Sequence, residues 1–279
     1  MKLTKEQCLE YYEIGMEYAY ACEYEKAINC LLPVAECGDE DATNNLGVCY
    51  MNSKRYSEAY KWFKRVKSNT SLFNILKLYE KNLIPFNFDE YLRFCNLLLE
   101  EKDPNGYLYL SYLYQDEERG VQDQKRAFLS ILNGLGNCYD QTKLRFEYAY
   151  LLKNGIGCEQ NLNLSYGNYR YVAIRNSSEN YFLRISRYYV GIALLKGQGC
   201  NQNFYQGQWF LTLSAIDGYK PACEYLAYFF KNFEDNLDLE KGEMWSNLFE
   251  DKPLTNKQKR IYAAVFIRAL AFRDKYCVN

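Results

Sequence analysis

The chain has 279 residues, of which 48% are apolar or aromatic, 25% are charged and five are proline, with a formal net charge of −1; this is the composition of an ordered helical protein. Balanced charge argues against a general nucleic-acid binder, which carries a basic excess. With no histidine anywhere, Ser-His-Asp and Cys-His centres, His-ligated metals and HExxH helices are excluded.

From the N-terminus, MKLTKEQCLEYYEIG contains no apolar run of signal-peptide length, and no later segment approaches the roughly 20 apolar residues of a membrane span. A cytoplasmic protein is therefore expected. The first predicted unit, 5–37, places Ile14, Gly15 and Tyr18 on one helix and Tyr24, Ala27 and Leu31 on the next. The second, 41–67, repeats that register with Leu46, Gly47 and Tyr50 against Tyr56, Ala59 and Phe63. Large residues recur at helical spacing on one face of each half, and Gly47 and Ala59 are small enough to let two backbones approach. Met51 to Arg55 leaves room only for a tight connection, so the two helices run antiparallel.

Weaker copies follow in chain order. Unit 71–101 keeps Leu76 and Tyr79 but has Pro85 in a longer connection and Tyr91 at the small position. Units 104–138, 141–176 and 180–218 carry the loops GVQDQKRA, NGIGCEQNLNLS and KGQGCNQNFYQG, and unit 221–250 retains Tyr225, Ala227 and Gly242. Tyr114 and Tyr150 are assigned to the same packing position as Tyr18, Tyr50 and Tyr79. A final helix spans 255–277, capped by Thr255, with Ile261, Val265, Phe266, Ala269 and Phe272 along one face. A lone hairpin cannot bury its apolar face, and sequences meet this by repeating the unit every 30 to 45 residues or so.

The first two units resemble the tetratricopeptide repeat, with its Leu-Gly…Tyr helix and a small residue twelve positions after the Gly. The later loops resemble the Sel1-like variant, whose Gly-x-Gly loop is followed by a polar residue (Asp123, Asn161, Asn203) and then a small one (Ser165, Gly207). The resemblance implies an all-α, right-handed α/α superhelical solenoid of about seven TPR/Sel1-like hairpins in one domain, 1–279, closed by the C-terminal capping helix. It also implies a concave groove. Carrying over the register of its lining gives Tyr12, Met16 and Tyr20 in the first unit, Asn44, Val48, Met51 and Asn52 in the second, and Tyr112 and Tyr148 in the fourth and fifth. Each of these also reads as a half-buried side chain between repeats. As a set, tyrosine and asparagine suit a recognition surface. The carboxylate clamp of chaperone-binding repeats is met only in part, by Asn44.

The expected function is a non-enzymatic adaptor holding a peptide or helix of another protein. Alternatives are a bacterial or viral regulatory or effector protein acting on a signalling enzyme or host factor, and a carboxylate hydrolase built on Glu147 or on Asp116 with Glu117. Those acids also read as ordinary helix-surface and loop residues. No cofactor or metal is expected, because the chain has neither a Walker sequence nor a CxxC pair. Two basic clusters, Lys54 to Lys67 and Lys257 to Lys275, read as solvated helix faces first, then as a surface for an acidic protein partner, and last as one for nucleic acid. Among eleven cysteines, Cys158 and Cys200 recur at one loop position and read as small apolar fillers. A secreted branch of the Sel1-like family joins the end of one hairpin to the start of the next by a disulfide. Here the position that would partner Cys37 holds Thr43 or Asn44, and Cys30 lies two turns away on the same helix, too far to bridge.

Overall fold

The helices that start at Phe88, Gln124, Leu162, Phe204 and Leu239 each begin where the preceding Asn or Asp supplies a side-chain oxygen to the first turn. In the computed structural model, which describes residues 3–119, 122–175, 180–232 and 237–277, fifteen helices and no strand occur among the described residues. They fall into two compact units, Met1–Leu110 and Ser111–Asn279. The first contains α1 (Lys5–Tyr20), α2 (Tyr24–Glu36), α3 (Glu40–Asn52), α4 (Tyr56–Phe63), α5 (Asn69–Glu80), α6 (Phe88–Glu100) and the start of α7 (Pro104–Gln115). The second contains the rest of α7, then α8 (Gln124–Asn137), α9 (Thr142–Asn154), α10 (Leu162–Ala173), α11 (Asn180–Lys196), α12 (Phe204–Ile216), α13 (Lys220–Asn232), α14 (Leu239–Phe249) and α15 (Asn256–Tyr276). Within each unit helices pack on their chain neighbours, the arrangement of a helical-repeat solenoid.

In the first unit the predicted antiparallel hairpins are closed by identical turns. Glu23 N–H donates to Tyr18 O and Arg55 N–H to Tyr50 O, both at 2.9 Å, while Cys22 and Lys54 adopt φ of 60° and 61°. These are Schellman ends, which satisfy helix carbonyls that would otherwise be orphaned. The small positions work by contact: a Cβ on Gly47 would lie 2.6 Å from the Phe63 ring, and one on Gly15 2.8 Å from Leu31. The third hairpin solves the same problem with bulk. Leu76 and Tyr91 are fully buried where the others have Gly and Ala, and the Tyr91 hydroxyl donates to Glu80 Oε1 at 2.6 Å. Beside it Tyr79 (2.9 Å), Lys64 (2.6 Å) and Tyr60 all donate to the Glu90 carboxylate, tying α4, α5 and α6 together.

In the second unit the polar residues that follow the loops are N-caps. Asp123, Asn161 and Asn203 accept from the backbone N–H three residues on, at 3.0, 2.9 and 2.9 Å, each worth about 1 kcal/mol. The preceding glycines divide their labour. Gly155 and Gly197 end α9 and α11 at φ of 67° and 66°, where a Cβ would find its neighbours at an ordinary 3.6 Å, whereas Gly157 and Gly199, at 69° and 73°, press on backbone. A Cβ on Gly157 would lie 1.9 Å from Gln124 O, and one on Gly199 2.1 Å from Leu162 O. The loop of one hairpin thus sits on the first residue of the preceding hairpin's second helix. Gly120 and Val121, from the first such loop, lie outside the described residues.

Helix α15 packs on α12 and α14 through Phe272 against Trp209 and Phe210 and through Tyr262 against Trp245. Val265, Ala269 and Phe272 are buried as expected, but Phe266, placed on the same face by the sequence, is exposed. The stripe follows i, i+4, i+8, i+11 from Ile261 through Val265, Ala269 and Phe272, and position 266 falls beside it.

Candidate functional site

The assignments for the first helices of the hairpins are tested by one small residue per helix. In the second unit Ala149 is fully buried on α9, and Ser165 Oγ donates to its carbonyl at 2.8 Å. Gly191 packs on Leu211 and on the carbonyl of Gly207 in α12. Each stands six residues before the first glycine of its loop, Gly155 or Gly197. Ala149, rather than Glu147, therefore fills the small position of α9. This shifts the expected register by two residues: Leu152 takes the packing position, 3% exposed, and Tyr150, assigned there from the sequence, is 38% exposed.

Among the expected groove residues of the first unit, Tyr12 and Met16 are half-buried and Tyr20 is 81% exposed on α1. The Tyr12 hydroxyl accepts from Asn45 Nδ2 at 3.0 Å, joining α1 to α3, and lines a cavity of about 730 Å³ with Cys8, Leu9, Val34 and Cys37. Asn44 is engaged within the fold, accepting from Ser71 Oγ at 3.0 Å. Val48 is half-buried on α3. Met51 and Asn52 line a separate cleft of about 170 Å³ with Tyr56, Lys77 and Lys81. Of this set, Tyr12 lines one depression and Met51 and Asn52 another, so the expected residues do not line one groove.

In the second unit Tyr112 and Tyr148 are both half-buried. Tyr148 packs on Phe128 of α8, ring centroids 5.6 Å apart, so it lies between successive helices. The corrected register places Tyr150 where Tyr148 had been expected, and the same position on α13 holds Tyr228, 58% exposed. Sequence reasoning missed the larger part of this face. On α11, Tyr181, Arg184 and Tyr188 follow helical spacing, and Tyr188 makes edge contacts with Tyr189 at 5.5 Å and Tyr219 at 5.3 Å. Tyr189 stacks on Tyr169 of α10 at 4.8 Å, and Tyr225 lies 6.5 Å from Tyr228. Lys153 sits over the Tyr189 ring at 4.6 Å and Arg184 over Tyr181 at 5.8 Å. Burial raises the Tyr188 and Tyr189 hydroxyls, so they remain protonated donors at neutral pH. The buried Nε of Arg184 and hydroxyl of Tyr169 have no hydrogen-bond partner among the described residues. Register within α11 and α13, once Gly191 and Ala227 are fixed, is the signal that would have found this face.

The candidate catalytic acids have structural roles. Glu147 is 5% exposed, not a surface residue; Gln115 Nε2 donates to it, and burial raises its pKa to about 7. Asp116 pairs with Arg119 at 3.1 Å, and Glu117 accepts from Gln122 at 2.7 Å. The basic clusters are interleaved with acids: Arg55 with Glu58, Lys64 with Glu90, Lys257 with Glu240 and Arg273 with Asp274. Cys158 is half-buried, its thiol 3.9 Å from the Leu151 carbonyl. No helix is long and apolar enough to cross a membrane among the described residues.

The fold is that of Sel1-like repeat proteins. The chain superimposes on a Sel1 repeat protein from Oxalobacter formigenes with a TM-score of 0.66 at 18% identity, over 90% of this chain and 100% of that one. It superimposes on c5321, a protective antigen present in uropathogenic Escherichia coli strains and displaying an SLR fold, with a TM-score of 0.64 at 17% identity. That match covers 95% of this chain and 61% of the E. coli protein. No protein-family model and no curated protein matches the sequence.

Proposed function

We propose that this chain is a non-enzymatic interaction scaffold that holds a peptide or helix of another protein, with the tyrosine face of α9, α11 and α13 as its main contact surface. The observation that carries this reading is the run of half-exposed rings on that face, from Tyr150 and Tyr181 to Tyr228. Rigid aromatic side chains provide contact area at low entropic cost, and their protonated hydroxyls, with Arg184 beside them, donate to backbone carbonyls or carboxylates. The repeat fold supports the reading because a stack of hairpins offers an extended surface rather than a single pocket. The half-buried residues of α1 and α3 (Tyr12, Met16 and Val48) form a second, smaller surface on the first unit.

Affinity capture from the native cell with the full chain tests this, comparing wild type with the Tyr181→Ala, Tyr228→Ala double variant. The expected result is loss of captured protein with an unchanged melting temperature. Equal capture by the two proteins would overturn the assignment of this face.

A further inference from the structure

The first hairpin brings two thiols together. Gly15 of α1 packs on Leu31 and on Cys30 of α2, which fixes where the two antiparallel helices cross. Cys8 lies two turns before Gly15, and Cys37 lies two turns after Cys30. Because two turns return a helix to nearly the same face, the packing that joins Gly15 to Cys30 also turns Cys8 toward Cys37. Both side chains line the cavity of about 730 Å³ beside Tyr12, and Cys37 is close enough to act on the Cys8 thiol. Cys37 is exposed and Cys8 half-buried, so the pair is open to small reagents. Cys37 is the C-cap of α2, where the backbone is free of the helix's next turn and can adjust to disulfide geometry.

We propose that Cys8 and Cys37 are a redox-active pair that closes to a disulfide across the first hairpin. The oxidant is a low-molecular-weight disulfide such as oxidised glutathione. The exposed Cys37 thiolate attacks one sulfur of that disulfide; its S–S bond breaks, one small thiol leaves, and Cys37 carries a mixed disulfide. The Cys8 thiolate then attacks the Cys37 sulfur, the mixed bond breaks, and the second small thiol leaves. Two protein thiols lose two electrons and two protons, which appear in the two released thiols. Burial, the Cys37 thiol and the Asp39 carboxylate all raise the Cys8 thiol, which leaves it the second, intramolecular step, where proximity offsets its smaller thiolate fraction. The bond pins the first turn of α1 to the end of α2 and fixes the rim of the cavity that Tyr12 lines.

The test is peptide mapping of the full chain after incubation with oxidised glutathione, alkylation of remaining thiols and digestion without reduction. The expected product is a Cys8–Cys37 linked peptide, present in wild type and in Cys30→Ser and absent from Cys8→Ser and Cys37→Ser, each of which keeps a glutathione adduct on the remaining thiol. Wild-type protein in which both cysteines are alkylated, both carry stable adducts, or link to other cysteines instead would overturn the proposal. Hydrogen exchange of the wild type decides the consequence without any variant. Slower exchange in residues 5–20 after oxidation supports a pinned helix, and unchanged exchange contradicts it.

Discussion

Gln115 Nε2 donates to Glu147 Oε1 at 3.1 Å, which places a neutral amide against a carboxyl that is only 5% exposed. Burial outweighs that hydrogen bond and raises the pKa from 4.5 to about 7. The folded state therefore holds this proton more tightly than the unfolded chain does. Stability from this site is complete below pH 4.5 and declines as pH rises to about 7, by a total on the order of 3 kcal/mol. Glu147→Gln keeps an acceptor for Gln115 and removes the charge. Thermal melts at pH 5 and pH 8 should show the variant gaining most at pH 8, and a wild type with equal melting temperatures at both would contradict this account.

The Glu90 carboxylate has the opposite dependence. Burial would raise it, but the hydrogen bonds from Lys64, Tyr60 and Tyr79 together hold it below its ordinary value. Its contribution is present above the unfolded pKa and is lost as pH falls through the folded one. Glu90→Ala should cost on the order of 2 kcal/mol at neutral pH, since three donors lose an ionised acceptor. Denaturant titrations at pH 7 and pH 3 should find a smaller deficit at the lower pH.

Gly157→Ala and Gly199→Ala each place a methyl group in contact with a backbone carbonyl and hold an alanine at positive φ. Each should destabilise the second unit by roughly 3 kcal/mol. Gly155→Ala places its methyl at an ordinary 3.6 Å from its neighbours and should lose only the αL penalty of about 1 kcal/mol. Calorimetric melts of the three variants check the order.

Gly47→Leu drives a side chain into the Phe63 ring, and Ala59→Phe overfills a site with no exposure; both should unfold the first unit. Tyr20→Ala, at an 81% exposed position, should change stability by less than about 0.5 kcal/mol. Tyr12→Ala should cost about 1 kcal/mol more than that, because it removes the hydrogen bond from Asn45. If Tyr20→Ala melts as early as Gly47→Leu, the division into exposed and packing faces is wrong.

Much of the architecture was legible because it depends on residue size and on short polar side chains. Gly15, Gly47, Ala27 and Ala59 could be read from spacing alone, and Asn161 and Asn203 stood out as the polar positions after the loops, which the structure shows to be helix caps. The face of α9 was harder. Glu147 and Ala149 both lie near the required spacing, and a charged residue gives no sign in a single sequence that it will be buried. The tyrosines failed for a related reason: the same side chain is fully buried as Tyr91, spans two helices as Tyr12 and is exposed as Tyr228. Residue type does not separate these roles; only the register within each helix does.

The seating of Gly157 on Gln124 and of Gly199 on Leu162 makes each junction between hairpins one-sided in its demands. The receiving surface is a main-chain carbonyl, which every amino acid carries, so the earlier helix start can change its side chain freely while the later loop must keep its glycine. Neighbouring hairpins joined in this way need not co-evolve at the joint. One hairpin can be replaced or duplicated without rewriting this contact in the next.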